Sequence, residues 1–276
     1  MRADLHTHTT ASDGSLSPFA LFELQKQSGV ELFAITDHDT LAGYDLLASS
    51  AIDGQGTRLI SGIEFSAQWN RREIHIVGLG FDSSDPALRS MIGSQAERRH
   101  DRAKRIGDKL AYLGIKGAYD AALKHAAGGI PGRPHFARHL IDTGRVSDME
   151  TAFRRYLGDG KLAACKTQWP AVSEVTALIR AAGGVAVLAH PVVYGLTRTK
   201  LLTLLGDFID AGGQAMEVAV PGVQPDKQAA MAQIARQLKL LGSAGSDLHD
   251  PTNPWRHPSR IPAIPDGINP VWEILV

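Results

Sequence analysis

The 276-residue sequence lacks several features that would indicate particular classes of protein. It has a single cysteine, Cys165, which excludes an internal disulfide framework and fits a reducing compartment. Its 29 basic and 29 acidic side chains give a formal net charge of zero, so no global field attracts nucleic acid or an anionic membrane. Any anionic ligand must therefore be held by a local cluster of charges.

Long apolar segments are absent as well. No run of 18 apolar residues occurs, and the N-terminus has no apolar stretch of the kind found in secretory signals. We therefore expect a cytoplasmic protein that does not enter a membrane. The sequence indicates no obligate protein partner.

Short apolar segments alternate with helical patterns along most of the chain. Two of the helical patterns begin at Ser17-Pro18 and at residue 171, with apolar side chains at helical spacing. This alternation predicts an α/β fold with a mainly parallel sheet, and about seven strands favour a (β/α)7 barrel. The predicted strands are residues 2–6, 31–36, 58–63, 74–79, 185–189, 215–220 and about 239–244.

One long segment interrupts this alternation between the fourth and fifth predicted strands. Residues 85–170 have a strong helical pattern and little strand signal, which predicts a mostly helical inserted subdomain. The barrel itself would then be formed by residues 1–84 and 171–276. We expect the insertion to act as a cap.

A first candidate site lies near the N-terminus. Asp4, His6 and His8 are spaced two residues apart, and Asp13 follows five residues later. In an extended strand this spacing directs the three side chains to one face. Imidazole and carboxylate groups suit divalent metal ions. A single His-Xaa-His motif could also lie on the surface without a function, or its histidines could be hydrogen-bonded in the core. The other ligands must come from elsewhere in the chain.

The other predicted strands also end in potential metal ligands. Because the carboxyl ends of parallel strands meet at one edge, we expect these side chains to converge in one crater. Six imidazoles with Asp13, Glu64 and Asp247 exceed the needs of one zinc ion, which predicts two or three ions with Glu64 bridging. Asp4, Asp37 and Asp39 would fix histidine tautomers. The strand-end side chains are His6, His8, Asp37, His38, Asp39, Glu64, His75, His190, Glu217, Asp247 and His249.

These strand-end motifs resemble the PHP (polymerase and histidinol phosphatase) superfamily. The resemblance implies a distorted seven-stranded barrel, a trinuclear metal site and hydrolysis of phosphoesters. The motifs are Asp4-Leu-His6-Thr-His8, Thr36-Asp37-His38-Asp39, Gly62-Ile-Glu64, His75, Ala189-His190-Pro191 and Ser246-Asp247-Leu-His249.

The resemblance also implies how the ligands are shared among three ions. One ion would take His6, His8, Glu64 and Asp247. A second would take Glu64, His75 and His190, and a third would take Asp13, His38 and His249. Asp13 stands where some relatives have a histidine, which favours manganese or magnesium at the third position. We expect Mn²⁺, with Zn²⁺, Fe²⁺ and Mg²⁺ as alternatives.

The insertion carries basic motifs that resemble those of one branch of this superfamily. Members of that branch remove the 3′-phosphate from nucleoside 3′,5′-bisphosphates, and the branch is related to enzymes that shorten RNA from its 5′ end. Guanidinium groups bind phosphate bidentately, so arginines over a metal crater can hold a second phosphate. The alternative is a solvated basic helix face. The predicted substrate contacts are Asp13, Arg99, His100, Arg102, Arg133 and His135.

The expected reaction is hydrolysis of a nucleotide substrate, such as adenosine 3′,5′-bisphosphate, to AMP and phosphate. A metal-bound water would be the nucleophile, and His135 is a candidate proton donor to the leaving oxygen.

Four alternatives remain open. A 5′-to-3′ exoribonuclease could use the same site on short RNA, and a histidinol phosphatase would need carboxylates in the cap. An amidohydrolase would need a carboxylated lysine where Glu64 stands, and a non-enzymatic metal-binding module would have lost ligands.

Overall fold

The computed structural model describes residues 1–50 and 56–275. In these ranges none of the helices is both long enough and apolar enough to cross a membrane. The strands are β1 (Ala3–Asp4), β2 (Leu32–Ala34), β3 (Arg58–Ile60), β4 (Gly62–Trp69), β5 (Arg72–Leu79), β6 (Val185–Leu188), β7 (Ala215–Ala219) and β8 (Leu241–Ala244). The α-helices are α1 (Pro18–Gln27), α2 (Ala42–Ala48), α3 (Pro86–Tyr112), α4 (Ala118–His125), α5 (Arg133–Asp142), α6 (Met149–Ala152), α7 (Val172–Ala181), α8 (Arg198–Asp210) and α9 (Pro225–Leu238).

The strands form two sheets, which confirms the mixed α/β class. One sheet has the order β1-β2-β3 and is parallel, and the other has the order β4-β5-β6-β7-β8. In the second sheet β4 and β6 both pair antiparallel with β5, whereas β7 pairs parallel with β6 and β8. The closed, seven-stranded parallel barrel predicted from the sequence is not formed by the described strands.

The difference from a barrel arises at one predicted strand and one turn. Residues 58–63 were predicted as a single strand, but the chain leaves β3 at Ser61 and enters β4 in the other sheet. β4 then returns as β5 through Asn70 and Arg71, whose φ angles of 45° and 66° suit a two-residue hairpin turn. A hairpin this tight can only join antiparallel strands.

Backbone hydrogen bonds link the two sheets near the carboxyl ends of their strands. Leu5 N–H donates to Ala244 O over 2.9 Å, and His8 N–H donates to Leu248 O over 3.0 Å. On the other side, Asp39 N–H donates to Glu64 O over 2.9 Å. The segment that follows β1 is therefore held next to the segment that follows β8, and the segment that follows β2 is held next to β4.

The hydrophobic core is divided between the sheets and the helices of residues 85–170. The largest cluster packs α7, α8 and α9 against the five-stranded sheet and includes Phe65, Ile179 and Phe208, all fully buried. A separate cluster inside α3 to α5 includes Leu110 and Phe136. The helices of this segment therefore pack around their own apolar centre.

Helix α3 is the longest element and carries three polar side chains toward the sheets. Asp85 caps its N-terminus by accepting a hydrogen bond from Leu88 N–H over 2.8 Å, and Pro86 occupies the first helical position. Gln95, Arg99 and Arg102 follow at spacings of four and three, so they share one face of the helix.

Gly245, directly after β8, should be intolerant of a side chain. A Cβ at this position would collide with the Cβ of His6, whereas a Cβ at Gly206 in α8 would meet nothing within 4 Å. We expect Gly245→Ala to lower the free energy of unfolding by about 1–3 kcal/mol. Gly206→Ala is the control and should raise it by up to about 1 kcal/mol. Urea unfolding measures both, and equal stabilities would contradict the packing described.

Candidate metal centre

Glu64 is at the centre of a cluster of imidazole rings. Its side chain lies on β4 and is fully buried. Its two carboxylate oxygens lie within 3.4 Å of ring nitrogens from five histidines. The distances are 3.3 Å to His6 Nε2, 3.4 Å to His8 Nε2, 2.8 Å to His38 Nδ1, 2.8 Å to His75 Nδ1 and 3.0 Å to His190 Nε2.

All nine side chains predicted as metal ligands meet in this cluster. They form four overlapping groups, and the donor atoms within each group lie within 4.8 Å of one another. His190 is grouped with His6, whereas His75 is grouped with His38, so this pairing differs from the one implied by the family resemblance. The groups are His8, Asp13, His38 and His249; His6, His8 and Asp247; His6, Glu64 and His190; and His38, Glu64 and His75.

Asp13 joins the cluster from the loop after β1. Its Oδ1 lies 3.4 Å from His249 Nε2 and 3.8 Å from His8 Nδ1, and its Oδ2 lies 3.7 Å from His38 Nε2. Although burial alone would raise the pKa of Asp13, the imidazoles of His38 and His249 hold it well below its usual range. The carboxylate is therefore ionised and available to a cation.

The donor atoms fit divalent cations. Among the described residues, the buried atoms without a hydrogen-bond partner include His8 Nδ1, His190 Nδ1 and Glu64 Oε2. His6 Nε2 and His8 Nε2 face each other at 3.1 Å. A buried polar atom without a partner costs about 1–3 kcal/mol, and coordination of a cation would remove that cost. Imidazole and carboxylate groups are the donors that bind divalent metal ions in proteins.

Glu217 orients two of the histidines. Its Oε1 accepts a hydrogen bond from His6 Nδ1 over 2.6 Å, and its Oε2 accepts one from His190 N–H over 2.6 Å. With its Nδ1 donating, His6 directs the lone pair of Nε2 into the cluster. The sequence places Glu217 at a strand end but assigns it no role.

Asp4, Asp37 and Asp39 have a different role from the predicted one. Within the described part of the chain, their carboxylates contact no histidine ring and instead hold the loops that carry the ligands. Asp4 accepts hydrogen bonds from Ser246 N, Ser246 Oγ and Gln25 Nε2; Asp37 from Thr9 N, Thr9 Oγ1 and Ser12 Oγ; and Asp39 from Ser66 N, Gln95 Nε2 and Arg99 Nε.

Three residues of the site have backbone angles that side chains rarely adopt. Asp39, His190 and Asp247 have φ angles of 55°, 27° and 52°. Such conformations cost on the order of 1–3 kcal/mol each and are typical of functional sites. At His190, the hydrogen bond from its N–H to Glu217 holds the backbone in this geometry.

A cavity of about 200 Å³ opens beside the cluster, and we call it the arginine cavity. It is lined by Asp13, His38 and His75 of the cluster, by Glu73, and by Arg99, Arg102 and Arg133 from the helical segment. The two Nη atoms of Arg102 lie 3.3 and 3.1 Å from the carboxylate oxygens of Glu73, and Arg133 Nη2 lies 3.6 Å from Glu73 Oε1. Arg99 instead pairs with Asp39, Nε to Oδ2 at 2.6 Å.

The two histidines predicted as substrate contacts have different environments. His100 is exposed on α3 and does not line the arginine cavity. His135 is buried at the start of α5, where its Nδ1 accepts a hydrogen bond from Gly132 N–H over 2.8 Å. Burial lowers the pKa of His135 to about 4. A neutral, helix-capping imidazole is a weak acid, so this contact does not support the predicted role as proton donor.

Two residues that contact the arginines of the cavity were not identified from the sequence. Glu73 lies two residues before His75 in β5, so both side chains share one face of the strand. Trp169 places its ring 5.5 Å from the guanidinium carbon of Arg99 and 5.6 Å from that of Arg102. The spacing of Glu73 and His75 is a signal that could have identified the first, whereas no local pattern marks the second.

Comparison with known proteins identifies the family. Residues 4–158, more than half of the chain, match the PHP domain. The chain belongs to the PHP domain family. The matched range includes β1 to β5 and most of the helical segment.

Bacterial relatives match this PHP domain over nearly its whole length. A 5′-3′ exoribonuclease of Haemophilus influenzae is 43% identical over 270 residues, which cover 98% of this chain and 97% of that protein. A 3′,5′-nucleoside bisphosphate phosphatase of Chromobacterium violaceum is 38% identical over 273 residues, 99% of this chain and 95% of that protein. Both relatives are named as hydrolases, and this chain belongs to the same class of enzyme.

A solved structure has the same fold as this PHP domain. It is described as an amidohydrolase from Chromobacterium violaceum with bound sulfate and no metal. The TM-score is 0.93 at 38% sequence identity, and the superposition covers 100% of this chain and 96% of the other.

The histidine cluster holds protons that a cation would have to displace. Burial alone would lower the pKa of His75, but the adjacent Glu64 carboxylate raises it to about 10. In the same way, Asp13 raises the pKa of the half-buried His249 to about 10. Because metal ligands must be deprotonated imidazoles, binding of a cation releases these protons.

The affinity of the PHP domain for Mn²⁺ should therefore rise with pH. Between pH 6 and 8, His75 and His249 both carry an extra proton in the metal-free protein. Each unit of increase in pH therefore favours the metal-bound form. Titration calorimetry in buffers of different ionisation enthalpy measures the protons released. His249→Gln should reduce the number released, and His100→Gln is the control and should not change it. An affinity independent of pH in this range would contradict the arrangement.

Proposed function

We propose that the protein removes the 3′-phosphate from nucleoside 3′,5′-bisphosphates, such as adenosine 3′,5′-bisphosphate, leaving the 5′-nucleotide and phosphate. One observation carries the proposal: the histidine cluster and two arginines, Arg102 and Arg133, line the same cavity. A substrate with two phosphates on one ribose would place one phosphate at the cluster and the other against the guanidinium groups. The relative named as a 3′,5′-nucleoside bisphosphate phosphatase supports this substrate.

The nine cluster ligands would hold two or three divalent ions, with Glu64 shared between neighbouring ions. The mixture of imidazole and carboxylate donors accommodates Mn²⁺, and Zn²⁺, Fe²⁺ and Mg²⁺ are alternatives. The ions would neutralise charge on the phosphoryl oxygens and activate water for in-line attack. In this arrangement Glu217 would keep His6 correctly oriented.

The arginines would recognise the second phosphate. Arg102 and Arg133 already share a carboxylate, Glu73, and a phosphate offers the same paired oxygen geometry with more charge. Arg99 is paired with Asp39 and would support the position of α3. Because α3 and α5 supply these arginines, residues 85–170 would form the cap over the site carried by residues 1–84 and 171–276.

A second candidate activity is 5′-to-3′ hydrolysis of short RNA at the same site. The relative at 43% identity is named as an exoribonuclease of this polarity. The same phosphorus–oxygen bond, to the 3′-oxygen of the first nucleoside, would break in both reactions. The 5′-phosphate of the RNA would occupy the same arginines as the 5′-phosphate of the bisphosphate.

The remaining alternatives have less support. A cationic substrate such as histidinol phosphate would meet arginines, and Glu73 is already engaged by two of them. An amidohydrolase of the carboxylated-lysine type would need a lysine at the position of Glu64, and no lysine lines the arginine cavity within the described residues.

The substrate proposal predicts a strong preference between two nucleotides. Mn²⁺-loaded protein should release phosphate from adenosine 3′,5′-bisphosphate and leave 5′-AMP intact, because 5′-AMP has no 3′-phosphate to place at the cluster. Chromatographic separation of the nucleotides with a phosphate assay measures both rates. Equal turnover of the two nucleotides would contradict the proposal.

Arg102→Ala should weaken binding of the second phosphate specifically. Loss of a paired, charge-assisted contact of about 1.5–3 kcal/mol should raise KM for the bisphosphate by roughly 10- to 100-fold. Hydrolysis of a simple aryl phosphate should change little, since that substrate has one phosphate. The matched control is Arg105→Ala on the same helix, where the guanidinium is exposed and bonds to Lys166 O. Equal losses on both substrates would mean that Arg102 supports the fold.

A further inference from the structure

A second cavity of about 200 Å³ adjoins the arginine cavity at His75. It shares Glu73, His75 and Arg133 with the arginine cavity, and its other lining residues are Arg72, Asp159, His190, Val193 and Tyr194. Asp159 is paired with Arg133, Oδ1 to Nη1 at 3.4 Å. We propose that this second cavity holds the second nucleoside of a 5′-phosphorylated RNA, and that Arg72 binds the phosphodiester that follows it. The inference rests on the proposed function.

The position of the second cavity suits a substrate that continues past the cluster. His75 lines both cavities, whereas His190 lines only the second, so the cluster lies where the two cavities meet. A phosphate at the cluster can therefore carry one substituent toward each cavity. A phosphodiester has two such substituents, and a terminal phosphate has one.

The chemistry of RNA cleavage requires a place for that second substituent. Oxygen from water bonds to phosphorus, the bond from phosphorus to the 3′-oxygen of the first nucleoside breaks, and this oxygen takes up a proton. The phosphate remains as the 5′-phosphate of the shortened chain. With the first nucleotide in the arginine cavity, the shortened chain extends into the second cavity. A nucleoside 3′,5′-bisphosphate leaves the second cavity unused.

Arg72 lines the second cavity, and a hydrogen bond holds its side chain there. Its Nη1 donates to Tyr194 O over 3.0 Å, which fixes the guanidinium beside the cavity wall. Within residues 1–50 and 56–275 it forms no ion pair, whereas Arg102 and Arg133 both contact Glu73. Arg72 begins β5 directly after the hairpin turn, so its backbone is part of the sheet. It can therefore offer a full charge to a phosphodiester.

The rim of the second cavity also offers an apolar surface. Val193 is 65% exposed, which is unusual for a valine, and Tyr194 packs its ring 5.5 Å from that of His190. A nucleobase could lie against Val193 while the following phosphate reaches Arg72. These groups provide the two kinds of contact that a single-stranded nucleotide needs.

Three substrates separate the role of Arg72 from that of the rest of the site. They are adenosine 3′,5′-bisphosphate, a 5′-phosphorylated RNA dinucleotide and a 5′-phosphorylated RNA trinucleotide. Only the trinucleotide has a phosphodiester beyond the second nucleoside. Arg72→Ala should lower kcat/KM for the trinucleotide about 5- to 10-fold and reduce the salt dependence of its KM by about 0.7 in logarithmic slope. The other two substrates should be unaffected.

Arg72→Glu should cause a larger loss on the trinucleotide because it repels the phosphodiester. Arg198→Ala is the matched control, since this exposed arginine bonds to Gln237 on α9 and lines neither cavity. An unchanged trinucleotide rate in both Arg72 variants overturns the inference, and so do equal losses on all three substrates. Wild-type protein that hydrolyses the bisphosphate but no RNA also overturns it while leaving the proposed function intact. Failure on the bisphosphate itself overturns the proposed function.

Discussion

The structure depends on a carboxylate buried among imidazole rings. Glu64 is inaccessible to solvent and contacts five histidines, so its charge is compensated only by protons or by cations at those rings. Although burial opposes ionisation, His38 and His75 hold the pKa of Glu64 well below its usual range. An ionised, shared carboxylate is the feature that allows neighbouring divalent ions to be held close together.

The arrangement of the strands places the carboxylate of Glu64 among these histidine rings. β4 lies at the edge of the five-stranded sheet, and Asp39 N–H donates to Glu64 O across to the segment after β2. The hairpin then brings His75 beside Glu64 and carries Glu73 and Arg72 outward on β5. One antiparallel pair of strands, β4 and β5, therefore connects the candidate metal centre, the arginine cavity and the second cavity.

Much of the site could be predicted from the sequence because its ligands lie in short motifs near strand ends. The nine side chains predicted as metal ligands were identified in this way, and the structure brings their donor atoms together in one cluster. The break at Ser61 and the antiparallel pairing could not be predicted, since apolar residues continue across the break. The hydrogen bonds from Ser246 to Asp4 and from His6 to Glu217 join residues more than 200 positions apart, and no local spacing records such contacts. Sequence motifs therefore identify the predicted ligands more readily than the side chains that orient them.

In the proposed metal centre, Glu64 is shared between bound ions. The most direct test is a crystal structure of the Mn²⁺-loaded protein, with anomalous diffraction collected near the manganese absorption edge. We predict at least two anomalous peaks in contact with the carboxylate oxygens of Glu64, with the cluster histidines as the other protein ligands. A single peak, or peaks that make no contact with Glu64, would contradict the account.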